Sequence, residues 1–204
     1  QQLPPGEVAL DREAYEIRAI DVEHRTNAVG YALVEHERKG RFDREKAETE
    51  FGLPPGPKYS KLHGGEAVEH EGQTIEPDDV VGEPRPGRTI VYTGDTRPCD
   101  SVRAAAAGAD LLIHDSMFGD ERRERAVETA HATAREAAAV AEDAGVRRLA
   151  LTHISSRYAG GGWHDLESQA EEAFDGRVFV ADDGMCANVP YPDADREFEL
   201  DRRR

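Results

Sequence analysis

The run Ile90-Val91-Tyr92-Thr93-Gly94-Asp95-Thr96 does most to restrict what this chain can fold into. β-forming residues stop at a glycine and deliver a carboxylate. That pattern predicts a short buried strand with Asp95 at its carboxyl end. In α/β proteins this end of the sheet is where chemistry collects. Two more segments follow the same grammar: Leu149-Ala150-Leu151-Thr152 runs into His153, and Ile17 to Val22 leads to His24. If these strands share a sheet, two imidazoles and a carboxylate meet on one edge. Such a set suits a transition metal, with Asp95 able to bridge two ions. Taken alone, His24 reads more simply as a loop histidine at a strand end.

The chain of 204 residues is long enough for one large domain, or for one with an appendage. Its formal net charge is -16, with the acids dispersed rather than gathered in a tail. Dispersed acid predicts a strongly solvated surface suited to a high-salt cytoplasm, where screening shortens the repulsion. It argues against unaided nucleic-acid binding at low salt, so any RNA contact falls to local Arg and Lys. Cys99 and Cys186 are too few for a disulfide scaffold and form no zinc knuckle, which points to a reducing cytosol. No apolar run is long enough to span a membrane, and no signal peptide is evident. The start, Gln1-Gln2-Leu3-Pro4-Pro5, reads as the middle of a longer protein.

In chain order, residues 8 to 22 predict one or two strands with a turn at Asp11-Arg12-Glu13, and residues 28 to 35 another strand. Residues 36 to 82 change character and read as a protruding, partly ordered arm. A short helix capped by Asp43 is expected there, but Gly52 to Tyr59 is too rich in Pro and Gly for helix or sheet. Lys58, Tyr59, Lys61, His63, Arg38, Lys39 and Arg41 give this arm a basic, aromatic surface, either a plain surface loop or a handle for a polyanion. From residue 86 a regular α/β alternation follows. Strands are expected at 89–93, 111–113, 147–152 and 178–181, with helices from Pro98, from Thr129 to Ala144, and from Leu166 to Phe174. Residues 119 to 125 read as charged and mobile, 155 to 162 as a flexible loop, and Asp182-Asp183-Gly184 as a turn. His114 reads as a satisfied, partly buried histidine. His131 lies near the start of the long helix. The partial positive charge there favours proton release from an imidazolium, although an exposed helix-end histidine is the plainer alternative.

These residues carry a family resemblance. Ile90 to Arg97 (IVYTGDTR), Leu151 to Tyr158 (LTHISSRY), and Asn27 to Tyr31 after His24 resemble the later motifs of ribonuclease Z. That family is the tRNA 3′-processing endonuclease branch of the metallo-β-lactamase superfamily. Gly52 to Tyr59 (GLPPGPKY) with Lys61-Leu62 resembles its tRNA-gripping Gly-Pro arm. His114 to Phe118 stands where the family has His-Glu-Ala-Thr, and His131-Ala132-Thr133 where it has His-Ser-Thr. The motifs fall in the family's order from about residue 15 to about 190.

The resemblance implies an α/β fold, the C-terminal half of an αββα sandwich, with an inserted tRNA-binding arm at 36–82. It implies two zinc ions per complete site. His24 binds one, Asp95 bridges both and His153 binds the other, while His131 donates a proton to the leaving oxygen. Gly56, Pro57, Lys58, Tyr59 and Lys61 belong to the arm that holds the tRNA elbow. The implied reaction removes the 3′ trailer of precursor tRNA by phosphodiester hydrolysis after the discriminator nucleotide, in a cytoplasmic homodimer of a salt-adapted organism. Two departures stand out. The family's His-x-His-x-Asp-His motif is absent, which leaves each ion short of the roughly four donors zinc prefers and predicts weak zinc binding and little cutting by this chain alone. Asp115-Ser116-Met117 also departs from the family's loop. The rival readings are another metallo-β-lactamase-fold phosphodiesterase, or a non-catalytic module that binds tRNA or a partner chain.

Overall fold

The computed structural model describes residues 6–202 and divides the chain into two compact units. One holds the segments on either side of Glu37–Gly87, and that segment is the other.

The larger unit opens with β1 (Val8–Asp11), β2 (Tyr15–Ile20) and β3 (Gly30–Glu35). The second unit contributes α1 (Arg44–Thr49), α2 (Pro57–Gly64), β4 (Val68–His70), β5 (Gln73–Ile75) and α3 (Pro77–Val80). The first unit resumes with β6 (Thr89–Tyr92), α4 (Asp100–Ala105), β7 (Leu111–Asp115), α5 (Arg123–Thr129), α6 (Ala134–Asp143), β8 (Arg148–Thr152), α7 (Trp163–Glu171), β9 (Arg177–Val180), β10 (Met185–Asn188) and β11 (Glu199–Arg202).

A seven-stranded sheet runs β1-β2-β3-β6-β7-β8-β9. Its first strands are antiparallel, and β6 to β9 are parallel. Parallel pairing places the carboxyl ends of β6, β7 and β8 side by side, so residues 93–97, 114–118 and 153–155 leave the sheet on one edge. Both faces of the parallel half are covered, as such sheets require. Leu112, Leu149, Leu151 and Val180 pack with Ala137, Ala138, Ala141 and Leu166 of the helices. Leu111, Ala150 and Phe179 face the opposite way and pack with Val189 and Phe198 of the β10–β11 region. Adjacent strand residues thus serve different cores, which is the period-two rule of a strand. Leu149 is fully buried. Leu149→Ala is expected to cost about 2–5 kcal/mol, read as a lower urea midpoint with an unchanged m-value.

Three expectations need correction. The helix expected from Thr129 to Ala144 begins only at Ala134, as α6, and the charged segment before it is ordered and holds a further helix, α5. A 3-10 turn at Asp120–Arg122 leads into α5, which ends at Ala130 in the left-handed region (φ 60). The chain then restarts at a capping box: Thr133 Oγ1 accepts from the Glu136 N–H, and Glu136 accepts from the Thr133 N–H. The loop expected at 155–162 is a kinked 3-10 turn at Ser156–Gly161. The Pro-Gly stretch is not free of helix, because Pro57 occupies the first turn of α2, where its fixed φ and missing N–H cost nothing.

The second unit spans 37–87 rather than 36–82 and has its own core of Ala47, Leu53, Leu62, Val68, Ile75 and Val80. Asp43 caps α1 by accepting from the Lys46 N–H at 2.9 Å. Glu71 and Gly72, both left-handed, turn β4 into β5. Gly40 admits no side chain, since a Cβ there would lie 1.7 Å from the Gly82 carbonyl oxygen.

Candidate metal centre

The site is built from strand ends and the turns that follow them. β6 leaves the sheet through Thr93 and then Gly94, whose φ of 63° turns the chain and presents Asp95. Thr96, fully buried, ties this turn to its neighbours. Its N–H donates to Asp115 Oδ2 at 3.0 Å, and its hydroxyl accepts from the Glu23 N–H at 3.1 Å. The Arg97 N–H donates to the Glu23 carbonyl at 2.7 Å. The turn bearing Asp95 therefore holds the segment bearing His24.

His24, Asp95 and His131 each offer one ligand atom, and these atoms lie within 4.8 Å of one another. His24 Nδ1 is 2.8 Å from the Ala130 carbonyl oxygen, an acceptor presented by the left-handed turn between α5 and α6. His131 Nδ1 is 2.7 Å from Asp115 Oδ2. In both rings the hydrogen bond occupies Nδ1 and leaves Nε2 for the cluster, the arrangement that orients metal-binding imidazoles. The His131 ring lies between those of His24 and His153, at centroid distances of 4.9 and 5.0 Å. His153 Nε2 is 3.7 Å from Asp95 Oδ1. His153 is itself left-handed (φ 60), an uncommon conformation for a residue with a Cβ and one that clusters at functional sites.

Asp115 is the residue whose importance the sequence did not disclose. It is fully buried and accepts from the N–H groups of Thr96 and Met117 while holding His131. Arg97 is a second such residue. Its guanidinium forks onto Glu136 at 2.6 and 2.7 Å and also donates to the His131 carbonyl. Burial raises the Glu136 carboxyl, but the hydrogen bonds from Arg97 and Thr133 outweigh it and hold the group below its ordinary value. The Thr-x-x-Glu signature at 133–136 was the available signal that His131 precedes a helix rather than riding on one.

His114, expected to be partly buried and satisfied, is fully buried and stands outside the cluster. Its Nδ1 meets the Asp115 carbonyl at 2.7 Å, and its Nε2 has no hydrogen-bond partner among the described residues. Burial pushes this imidazole below its ordinary value. The unfolded chain takes up its proton near pH 6.5, so below that pH the unfolded state binds more protons and stability falls as the pH drops. His114→Gln is expected to flatten that part of the stability–pH curve, measured by urea denaturation across the range.

In the second unit, Gly56, Pro57, Lys58, Tyr59 and Lys61 form the cap and first turns of α2. Lys61 is exposed. Lys58 donates to the Glu69 carbonyl, and Tyr59 donates to the Leu53 carbonyl at 2.8 Å with its ring 4.5 Å from that of Phe42. Tyr59 is thus largely occupied in the unit's own core.

A mixed sheet with helices against it and a His/Asp cluster at its strand ends defines a protein of the metallo-β-lactamase fold. The Beta-lactamase superfamily domain model matches residues 62–154. The fold also matches the metallo-β-lactamase fold protein YhfI from Bacillus subtilis, with a TM-score of 0.56 and 20% identity over 88% of this chain and 51% of that one. Human tRNase Z, short form, matches with a TM-score of 0.53 and 22% identity over 90% of this chain and 46% of that one.

Within that fold the chain resembles ribonuclease Z. It is 61% identical to Ribonuclease Z of Haloarcula marismortui over 95% of this chain and 62% of that protein. It is 60% identical to Ribonuclease Z of Haloferax volcanii over 95% of this chain and 61% of that protein. The chain therefore spans a little over three-fifths of the length of these relatives.

The donor chemistry of the cluster fits zinc, which takes imidazole nitrogen and carboxylate oxygen. The donor count does not complete two ions, since His24, Asp95, His131 and His153 must serve about four positions at each.

Proposed function

We propose that this chain supplies the metal-facing C-terminal part of a zinc-dependent endoribonuclease that removes the 3′ trailer from precursor tRNA. The observation that carries the reading is the convergence of His24, Asp95 and His131 within 4.8 Å, with His131 backed by a buried carboxylate. The identity to proteins named Ribonuclease Z supports the substrate class.

In this reading His24, Asp95 and His153 would hold the metal. Bound zinc supplies Lewis-acid polarisation of the phosphodiester. Asp115 keeps the His131 Nδ1–H engaged, so that a protonated ring presents its Nε2–H to the reacting phosphate. Water adds its oxygen to phosphorus and gives up a proton to solvent, the bond from phosphorus to the O3′ of the discriminator nucleotide breaks, and His131 gives its proton to that oxygen. The products are a tRNA 3′-hydroxyl and a trailer with a 5′-phosphate.

Lys61 and the exposed Gly56-Pro57 turn offer contacts for the tRNA elbow, and a homodimer lets each arm serve the neighbouring site. The acidic surface fits a cytoplasm rich in salt. Among the described residues no helix is long and apolar enough to cross a membrane.

The shortage of donors favours a second reading, a module that binds tRNA or a partner chain without cutting. The deciding experiment incubates the protein, at the full length of its relatives, with a precursor tRNA carrying a 3′ trailer. Mapping a new 3′-hydroxyl at the discriminator nucleotide, lost on chelation, supports the proposal. Intact precursor that stays bound to the protein supports the module.

A further inference from the structure

We propose that the cleft between the His153 turn and the end of β9 is a nucleobase subsite, which receives the base beside the phosphodiester at the Asp95 cluster. The ribonuclease reading says what is delivered there, while the ligand class comes from the cleft itself. Its volume is about 260 Å³, with walls that include Ile154, Ser156, Tyr158, Trp163, Val180 and Asp182. That is enough for one flat heterocycle.

The wall chemistry selects a base over the other parts of a nucleotide. Ile154 and Val180 are apolar parts of the wall, and Tyr158 and Trp163 put aromatic rings in it. Stacking on such rings is how proteins hold unpaired bases. No arginine or lysine lines the cleft, and a carboxylate does, so a phosphate group meets no cation there and one repelling charge. Asp182 Oδ1 accepts from the Asp183 N–H at 2.9 Å, which leaves Oδ2 to accept from an incoming amino group. Cytosine carries such a group at N4 and adenine at N6, whereas uracil has none.

The cleft is also preformed and well placed. The Tyr158 hydroxyl accepts from the Gly119 N–H at 2.8 Å and donates to Glu121 at 2.6 Å, which fixes the ring. The Ser155 N–H donates to the Met117 carbonyl at 3.2 Å. Ile154, in the wall, directly follows His153, whose Nε2 is 3.7 Å from Asp95.

Trp163 is the chain's single tryptophan, so its fluorescence reports on this cleft alone. Cytidine, adenosine and uridine are titrated into the metal-free chain in high KCl. These nucleosides carry no phosphate, so neither metal nor net charge decides the outcome. The proposal expects saturable quenching by cytidine and adenosine, with uridine at least about fivefold weaker. Asp182→Asn is expected to bring cytidine down to the level of uridine, and Ala159→Leu, which fills the cleft, to weaken all three. Quenching that rises linearly with concentration, as for free N-acetyltryptophanamide, overturns the subsite. Equal binding of the three, unchanged in Asp182→Asn, also overturns it. A negative result here leaves the endonuclease reading intact, and failure to cut precursor tRNA leaves nucleoside binding untouched.

Discussion

His131→Ala, made in the protein at the full length of its relatives, is expected to lower the single-turnover rate of trailer removal by about 10²–10⁴-fold. Binding of precursor tRNA is expected to change little. The reason is geometric. His131 Nδ1 is held 2.7 Å from a fully buried carboxylate, and its ring lies between those of His24 and His153. The hydrogen bond at Nδ1 sets the ring without any metal and leaves Nε2 toward the cluster. Asp115→Asn keeps an acceptor of similar shape but removes the charge, so a loss of about 10–100-fold is expected. If His131 only fills space, His131→Ala lowers the melting temperature and leaves the rate of the folded enzyme unchanged.

The second large effect concerns metal content, read by mass spectrometry after dialysis in high salt. The protein at the relatives' full length is expected to retain about two zinc ions, and Asp95→Ala close to none. The 204-residue chain alone is expected to retain well under one. Asp95 touches both halves of the cluster: its ligand atom lies within 4.8 Å of those of His24 and His131, and it is 3.7 Å from His153. Removing it takes away the only carboxylate among these donors. The histidines that remain divide between two positions, each short of the roughly four donors zinc prefers. Retention of two ions by the 204-residue chain, lost in Asp95→Ala, would show that the site completes itself, and catalysis by this chain would become the expectation.

Much of the site was legible along the chain because strands announce themselves locally. Ile90 to Tyr92 and Leu149 to Thr152 are strands whose ends carry Asp95 and His153, as their β-forming runs predicted. The β1–β2 hairpin and the strand before Glu35 were legible for the same reason. The arm was legible as a break in composition but not as a folded unit, since its core joins Ala47, Leu53, Leu62, Val68, Ile75 and Val80 through short elements with little periodicity. The helix α5 was missed because its residues are mostly charged, and the later start of α6 because an alanine, Ala130, adopts the left-handed turn more often given to glycine.

By itself the sequence determined which residues stand at the strand ends, because side-chain alternation and a glycine stop act over a few neighbouring residues. Only the tertiary structure decided what those residues do to one another. Asp115 reaches His131 from 16 positions away, Arg97 reaches Glu136 from 39, and His24 meets the Ala130 carbonyl across 106. No local propensity encodes such pairs. They exist because the link between α5 and α6, bridged at Thr133 to Phe118 beyond β7, lies beside the segments that follow β2, β6 and β7 and shares hydrogen bonds with each.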